Sequence, residues 1–224
     1  MTDLHPYLAT YGLRLKRLFY PRLFYPNMLW RRSSPSDAPR RVAYLTFDDG
    51  PTPGVTRRLL DLLARHDAQA TCFLIGENAE RNPGLVRAIR DAGHTIGNHT
   101  YTHLDASRAA AETVTAELDR TTRLLEDLTG RSVRHMRPPY GRFTRPMRVW
   151  CRRREQQLTM WDVNAGDFRD AATPRSVARH TLRPLRDGSL VLLHDTPDTE
   201  RVTLTALETI LQRLTDRGWR FAAL

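Results

Sequence analysis

The sequence predicts an α/β protein in which about seven parallel strands alternate with helices and form a closed or incomplete barrel. β-rich segments alternate with helical segments along the chain. Glycine follows three of the helical segments, at Gly93, Gly130 and Gly218, where helices commonly end. The turn after the first predicted strand, residues 48–51, has no glycine-rich phosphate loop, which argues against a dinucleotide-binding fold.

The individual elements follow from the spacing of apolar residues. Runs rich in apolar and β-branched residues predict strands at 42–47, 70–75, 94–97, 133–137, 157–163, 189–194 and 219–223. Apolar residues spaced three and four apart predict helices at 55–66, 83–92, 107–129, 145–154, 174–183 and 202–217. The longest helix has a core face that includes Val114, Leu118 and Leu125.

Length and composition indicate a soluble globular chain. Its 224 residues, 40% hydrophobic and 27% charged, suit one large domain or two small ones. We expect residues 1–40 to form an N-terminal arm and linker, and residues 41–224 to form the main domain. The two cysteines, Cys72 and Cys151, are far apart and predict neither a disulfide framework nor a zinc site.

The basic charge favours anionic partners. The net charge of +10 suits a cell-wall polymer, an anionic lipid surface or nucleic acid. We expect no nucleic acid, because only Arg152–Arg154 form a tight basic run and no recognised nucleic-acid motif is present. The chain is expected to be a monomer.

The N-terminal segment does not have the pattern of a signal peptide or a membrane span. Between His5 and Trp30, basic residues interrupt every apolar run. This segment either lies on a membrane surface as a basic amphipathic piece or packs against the domain, and we favour packing. The sequence therefore favours a cytoplasmic or membrane-peripheral location.

Polar, reactive residues follow several of the predicted strands. In a parallel α/β barrel the carboxyl ends of the strands build the site. The segments at these ends are Asp48–Asp49, Asn98–His103, Arg137–Gly141, Asn164–Asp167 and His194–Asp195.

The adjacent carboxylates of Asp48 and Asp49 have two interpretations. They can form a solvated acidic turn, because Asp-Gly-Pro is common in turns. They can also bind a metal, which relieves their repulsion and leaves one carboxylate free to move a proton. His99 and His103 are four residues apart, and on a helix this spacing places both rings on one face. With one carboxylate they form a catalytic metal site, best suited to zinc, although cobalt, nickel, iron and manganese also fit.

Five segments together resemble the polysaccharide deacetylase family, the NodB-homology group or carbohydrate esterase family 4. They are Thr46–Pro51, His99–His103, Arg137–Gly141, Trp161–Phe168 and Leu190–Asp195. The resemblance implies a distorted (β/α) barrel in which residues 41–224 are the catalytic domain. It also implies hydrolysis of N-acetyl groups on glycans such as chitin oligomers or peptidoglycan.

The resemblance also implies roles for individual residues. One divalent metal would be held by Asp49, His99 and His103. Asp48 would be the general base that deprotonates water, and His194 the general acid that protonates the leaving amine.

The remaining implied roles concern orientation and the substrate pocket. Arg137 would orient and ionise Asp48, and the N–H of Tyr140 would help to hold the oxyanion. Leu192 would line a pocket for the acetyl methyl group. Three residues also have simpler interpretations. Arg137 can be a surface ion-pair partner, Tyr140 can be a turn residue, and Trp161 can be a core aromatic instead of a substrate contact.

One position departs from the family pattern. Family members commonly carry Asp where this chain has Asn164, and that Asp pairs with the catalytic histidine. Asn164 can accept a hydrogen bond from His194 but supplies no charge, so we expect the pKa of His194 to be lower than in Asp-bearing relatives. Asp167 or Asp162 can take over that role.

Two other functions remain open from the sequence. One is a non-catalytic glycan-binding barrel. The other is a hydrolase of the same fold that acts on a formamide, a cyclic imide or a lipid-linked sugar.

Overall fold

The computed structural model of the protein describes residues 25–32 and 41–224. Residues 1–24 and 33–40, which belong to the predicted arm and linker, lie outside the described residues. No helix in the described ranges is long and apolar enough to span a membrane.

A curled parallel sheet forms the centre of the fold. Its strands are β1 (Val42–Asp48), β2 (Ala70–Leu74), β3 (Thr95–Asn98), β4 (His135–Met136), β5 (Gln157–Leu158), β6 (Val163–Asn164), β7 (Leu190–His194) and β8 (Arg220–Phe221). Seven strands follow the order β5-β4-β3-β2-β1-β7-β6, and β8 pairs with the start of β1. Every strand pair is parallel, which confirms the predicted distorted (β/α) barrel.

Helices cover the outside of this sheet. They are α1 (Val55–Arg65), α2 (Gly76–Arg81), α3 (Pro83–Asp91), α4 (Ala111–Thr129), α5 (Arg145–Arg153), α6 (Pro174–Leu182) and α7 (Glu200–Thr215). The apolar face of α4 is buried as predicted, with Val114, Leu118 and Leu125 nearly inaccessible to solvent.

Two element predictions need correction. The predicted strand at 157–163 is two short strands, β5 and β6, which lie at opposite ends of the strand order. Residues 159–162 connect these two strands and carry the chain from one edge of the sheet to the other. The short helix α2 was missed, since six residues are too few to show a helical apolar period.

The register of the central strands brings the candidate catalytic and metal-binding residues to one edge of the sheet. β1 is buried along nearly its whole length between β2 and β7. Asp48, at the end of β1, is paired with His194, at the end of β7. Asn98 of β3 is paired with Met136 of β4, so His99 and Arg137 follow directly at the same edge.

Candidate active site

Three candidate metal ligands meet at the carboxyl edge of the sheet. Oδ1 of Asp49 lies 3.3 Å from Nε2 of His99 and 3.3 Å from Nε2 of His103. All three ligand atoms lie within 4.8 Å of one another. The histidines are not on a helix: they lie in the loop after β3, where His103 has a φ of 58°. Loop geometry, and not a helical face, therefore brings the two rings together.

The hydrogen bonds around this cluster leave its ligand atoms free. Nδ1 of His99 lies 2.7 Å from the carbonyl oxygen of Arg137, which can only accept, so Nδ1 carries a proton and Nε2 is the nitrogen that faces the Asp49 carboxylate. Oδ1 of Asp49 is buried and has no hydrogen-bond partner among the described residues. Burial disfavours the Asp49 carboxylate, but the neighbouring His103 and His99 outweigh this effect and hold its pKa below the ordinary value. Three electron-pair donors facing one point fit a divalent cation, so the residues present suit the expected metal.

Asp48 is held by a buried arginine. Nη1 of Arg137 donates to Oδ1 of Asp48 over 2.7 Å and to Oγ1 of Thr46 over 2.7 Å. The other oxygen of Asp48, Oδ2, lies 3.8 Å from Nε2 of His99. Arg137 is fully buried, so it is not a surface ion-pair partner. The ion pair holds one oxygen of Asp48 and leaves the other facing the cluster of ligands.

The guanidinium of Arg137 has partners on every side. Nη2 donates to the carbonyl of Met160 over 2.8 Å, and Nε donates to the carbonyl of Thr159 over 3.4 Å. The ring of Phe73 lies 4.2 Å from its central carbon and the ring of Trp161 lies 5.6 Å away. Trp161 is half-buried and packs against a core cluster, in agreement with the simpler interpretation of that residue.

His194 is paired with Asp167 and not with Asn164. Nδ1 of His194 lies 2.9 Å from Oδ1 of Asp167, whose Oδ2 accepts from the His194 backbone N–H at 2.8 Å and from Oγ1 of Thr203 at 2.8 Å. Burial lowers the pKa of His194, but the Asp167 hydrogen bond and the nearby carboxylates outweigh burial and raise the pKa to about 9. Asp162 instead accepts from Leu190 at the opposite end of β7.

Asn164 therefore does not pair with His194, and Asp167 takes that place, one of the two alternatives that the sequence offered. Oδ1 of Asn164 accepts from the Gly166 backbone N–H at 2.9 Å and fixes the loop after β6. That loop brings Asp167 back under the imidazole. The carboxylate is present on a different residue of the same segment.

Two exposed aromatic rings flank the cluster. Tyr140, 62% exposed, lies in a 3-10 turn, and its ring centroid is 4.6 Å from that of His103. Phe168, 51% exposed, has its ring centroid 5.3 Å from that of His194. Leu192 is buried in β7 between Thr46 and Asn164, close to the same edge.

Sequence reasoning missed several supports of these loops. Glu117 on α4 accepts from the backbone N–H groups of Tyr101 and Thr102, both at 2.8 Å, and so holds the loop that carries His103. Nδ2 of Asn78 donates to the backbone oxygen of Asp49 over 2.8 Å. No local pattern predicts these contacts, because each joins residues that are distant in sequence.

Asp195 is a buried carboxyl behind the site. Its Oδ2 accepts from Oγ1 of Thr56 at 2.6 Å, and its backbone oxygen accepts from Oγ1 of Thr52 at 2.6 Å. Burial raises its pKa to about 7, and Asp49 adds to the rise. These bonds tie the loop after β1 to the end of β7.

Comparison with known proteins gives the same assignment. The polysaccharide deacetylase family profile matches residues 36–159. The chain belongs to the polysaccharide deacetylase family. This membership confirms the expected enzyme class, hydrolases of the polysaccharide deacetylase type.

Individual family members show how far the likeness extends. A peptidoglycan-N-acetylglucosamine deacetylase of Bacillus cereus is 34% identical over 80% of this chain, which spans 66% of that protein. A chitooligosaccharide deacetylase of Bradyrhizobium is 35% identical over 80% of this chain and 87% of its own length. The crystal structure of a peptidoglycan N-acetylglucosamine deacetylase in complex with 4-naphthalen-1-yl-N-oxidanyl-benzamide superimposes with a TM-score of 0.83 at 29% identity, over 92% of this chain and 94% of that one.

Proposed function

We propose that the chain hydrolyses the N-acetyl group of a glycan and releases acetate and a free amine. One observation carries this proposal: a cluster of metal-ligand type lies beside the Asp48 carboxylate and the His194 imidazole, which stand at the same edge of the sheet. Asp48 and His194 stand opposite one another at the ends of β1 and β7, next to the Asp49, His99 and His103 cluster. An amide needs both groups, because its carbonyl is a poor electrophile and its amine is a poor leaving group.

The ligand set supports a divalent metal, and we propose zinc. Asp49, His99 and His103 would hold it, leaving open positions for water and the acetyl oxygen. Once bound, zinc supplies positive charge that polarises the amide carbonyl and makes water easier to deprotonate.

Asp48 is proposed as the general base. The ion pair with Arg137 fixes the orientation of its carboxylate, so that Oδ2 is directed towards the ligand cluster. It takes one proton from the attacking water, whose oxygen bonds to the acetyl carbon. The tetrahedral oxyanion is stabilised by the N–H of Tyr140, whose φ of 58° marks a sharp turn over the site.

His194 is proposed as the general acid. Asp167 accepts from its Nδ1, which leaves Nε2 to face the substrate and donate. Nε2 protonates the nitrogen as the C–N bond breaks, so the glycan leaves with a free amine. Leu192 is proposed to contact the acetyl methyl group from β7.

The surroundings of the site support a sugar substrate. Tyr140, beside His103, and Phe168, beside His194, are both largely exposed, and such rings stack on the apolar faces of sugars. We propose a peptidoglycan or chitin-type GlcNAc polymer, because two similar proteins are deacetylases of those substrate types by name. A monomeric state and membrane contact through the N-terminal arm stay predictions.

The test is acetate release from chitohexaose and from purified peptidoglycan, with and without a chelator. The proposal expects release that stops when the metal is removed and returns with added zinc. A chain that binds these glycans without releasing acetate at any metal loading would be a binding protein. If acetate release fails, turnover of a formamide, a cyclic imide or a lipid-linked acetyl sugar in a parallel panel would keep the hydrolase and change the substrate.

A further inference from the structure

The barrel is open between two edge strands. In the strand order, β5 and β6 are the two ends, and no described ladder joins them. The carbonyl groups of residues 159 and 160, which bind Arg137, lie beside this opening. The backbone beside the opening therefore helps to hold the guanidinium of Arg137 in place.

A short stretch near the N-terminus crosses the opening. Leu29 forms a parallel bridge with Thr159, and Arg31 forms an antiparallel bridge with Ser189, just before β7. The Leu29 N–H donates to Leu158 over 2.9 Å, and the Met160 N–H donates back to Leu29 over 2.7 Å. We call residues 28–32 the closing segment.

The closing segment is anchored at both ends. The side chain of Met28 is buried in a core cluster with Trp150 and Leu158. At the other end, the Arg32 N–H donates to the Gly188 carbonyl over 2.9 Å. A Cβ added to Gly188, whose φ is +78°, would lie only 1.7 Å from the Arg32 oxygen, so this contact requires glycine.

A direct chain of hydrogen bonds leads from this segment to Asp48. Leu29 accepts from Met160, the carbonyl of Met160 accepts from Nη2 of Arg137, and Nη1 of Arg137 donates to Asp48. On its other side, Thr159 is held by its N–H, which donates to Met136 over 2.8 Å, and by its Oγ1, which lies 3.1 Å from Nδ1 of His135. The Met160 N–H that Leu29 binds shares its peptide group with the Thr159 carbonyl, which accepts from Nε of Arg137, so Leu29 helps to fix the backbone that holds Arg137.

We infer that residues 28–32 are the closing strand of the catalytic barrel and help to position Arg137 through the backbone of residues 159 and 160. The catalytic unit then begins at or before residue 28, and not at 41 as the sequence suggested. The inference rests on the proposed function only where it links the position of Arg137 to turnover through Asp48.

Gly188→Ala in the full chain tests this inference, with Gly218→Ala as its matched control. Gly218 has a similar φ, +75°, but a Cβ there meets nothing within 4 Å. Both variants carry the strain of alanine at positive φ, and only Gly188→Ala displaces Arg32. Amide exchange at Met160 reports on the closing segment, and exchange at Thr159, which is bonded inside the sheet, is the internal reference.

In Gly188→Ala we expect exchange at Met160 to rise by about 10-fold or more while exchange at Thr159 changes little. We expect kcat to fall about 10- to 100-fold, with KM and zinc affinity within about two-fold of wild type, because the metal ligands are not displaced. Gly218→Ala should match wild type in all five quantities. A loss of folded protein alone would also lower the apparent kcat at unchanged KM, but it would not raise exchange at Met160 relative to exchange at Thr159.

Unchanged exchange at Met160 would overturn the inference, and so would faster exchange with kcat equal to that of Gly218→Ala. If Gly188→Ala does not fold, Met28→Ala is tested in its place, because it loosens the opposite anchor of the closing segment. The Met28→Ala variant must then show the same rise in exchange at Met160 and the same fall in kcat. If the wild-type chain releases no acetate, the proposed function fails separately. The NMR signal of the Arg137 Nε–H then decides: it should shift in Gly188→Ala and not in Gly218→Ala.

Discussion

The imidazole of His194 and the carboxylate of Asp167 form a buried pair with two contacts, one from Nδ1 at 2.9 Å and one from the backbone N–H at 2.8 Å. The pair fixes both the position of the ring and the nitrogen that faces the site. Because the same carboxylate also accepts from Thr203, its geometry is set by α7 as well as by β7.

Asp167→Asn should move the basic limb of the pH–rate profile. The proposed general acid works only when protonated, so we expect activity in the wild type to be lost as pH rises through the pKa of His194, which the Asp167 hydrogen bond holds above the ordinary value. Without the carboxylate this pKa falls towards the ordinary value of about 6.5, and activity fails at lower pH. The measurement is kcat/KM against pH.

Asn164→Asp is the matched control for that profile. Asn164 bonds to Gly166 and not to His194, so adding a charge there should leave the basic limb close to that of wild type. A basic limb that moves with Asn164→Asp but not with Asp167→Asn would reverse the assignment of the two residues.

Asp195→Asn should change how stability depends on pH. Burial raises the pKa of Asp195 to about 7 in the folded protein, against about 3.9 in an unfolded chain. Between these values the folded protein keeps a proton that the unfolded chain has lost, so the free energy of unfolding falls as pH rises. The asparagine variant lacks this term, which amounts to at most about 4 kcal/mol. Urea unfolding of both proteins at pH 4 to 8 measures it, and parallel stability curves would contradict the prediction.

His99→Ala and His103→Ala should each lose zinc. Each change removes one of three ligands, and we expect zinc affinity to fall by at least about 100-fold. His135→Asn is the control, because Nδ1 of His135 contacts Thr159 at 3.1 Å and the residue lies outside the ligand cluster. Calorimetric titration of zinc into metal-free protein gives the affinities. Normal zinc binding by either alanine variant would remove that histidine from the ligand set.

The sequence allowed us to predict most of the fold and most of the residues that meet at the candidate site. Strand ends are recognisable as apolar runs that stop at polar residues, and a parallel sheet brings all of them to one edge. The split of 157–163 into two strands was not predictable, because only pairing across the sheet separates β5 from β6.

The second layer of the site was harder to predict. Asn164 and Asp167 lie in one loop, and only its backbone path decides which of them meets His194. The contribution of residues 28–32 was likewise hidden, since their partners are more than 100 positions away along the chain. Short apolar segments of this kind carry no period that marks them as part of a barrel.

The central claim is that Asp48 is the general base and Asp49 is a metal ligand. The variants Asp48→Asn and Asp49→Asn test this claim as a pair. Asparagine at 48 still accepts from Arg137 but is too weak a base to take a proton from water. We expect Asp48→Asn to bind zinc as tightly as wild type while kcat falls by about 100- to 10,000-fold, and Asp49→Asn to lose zinc. The most direct measurement is therefore acetate release by zinc-loaded Asp48→Asn: almost none is predicted, and turnover near the wild-type rate would contradict the account.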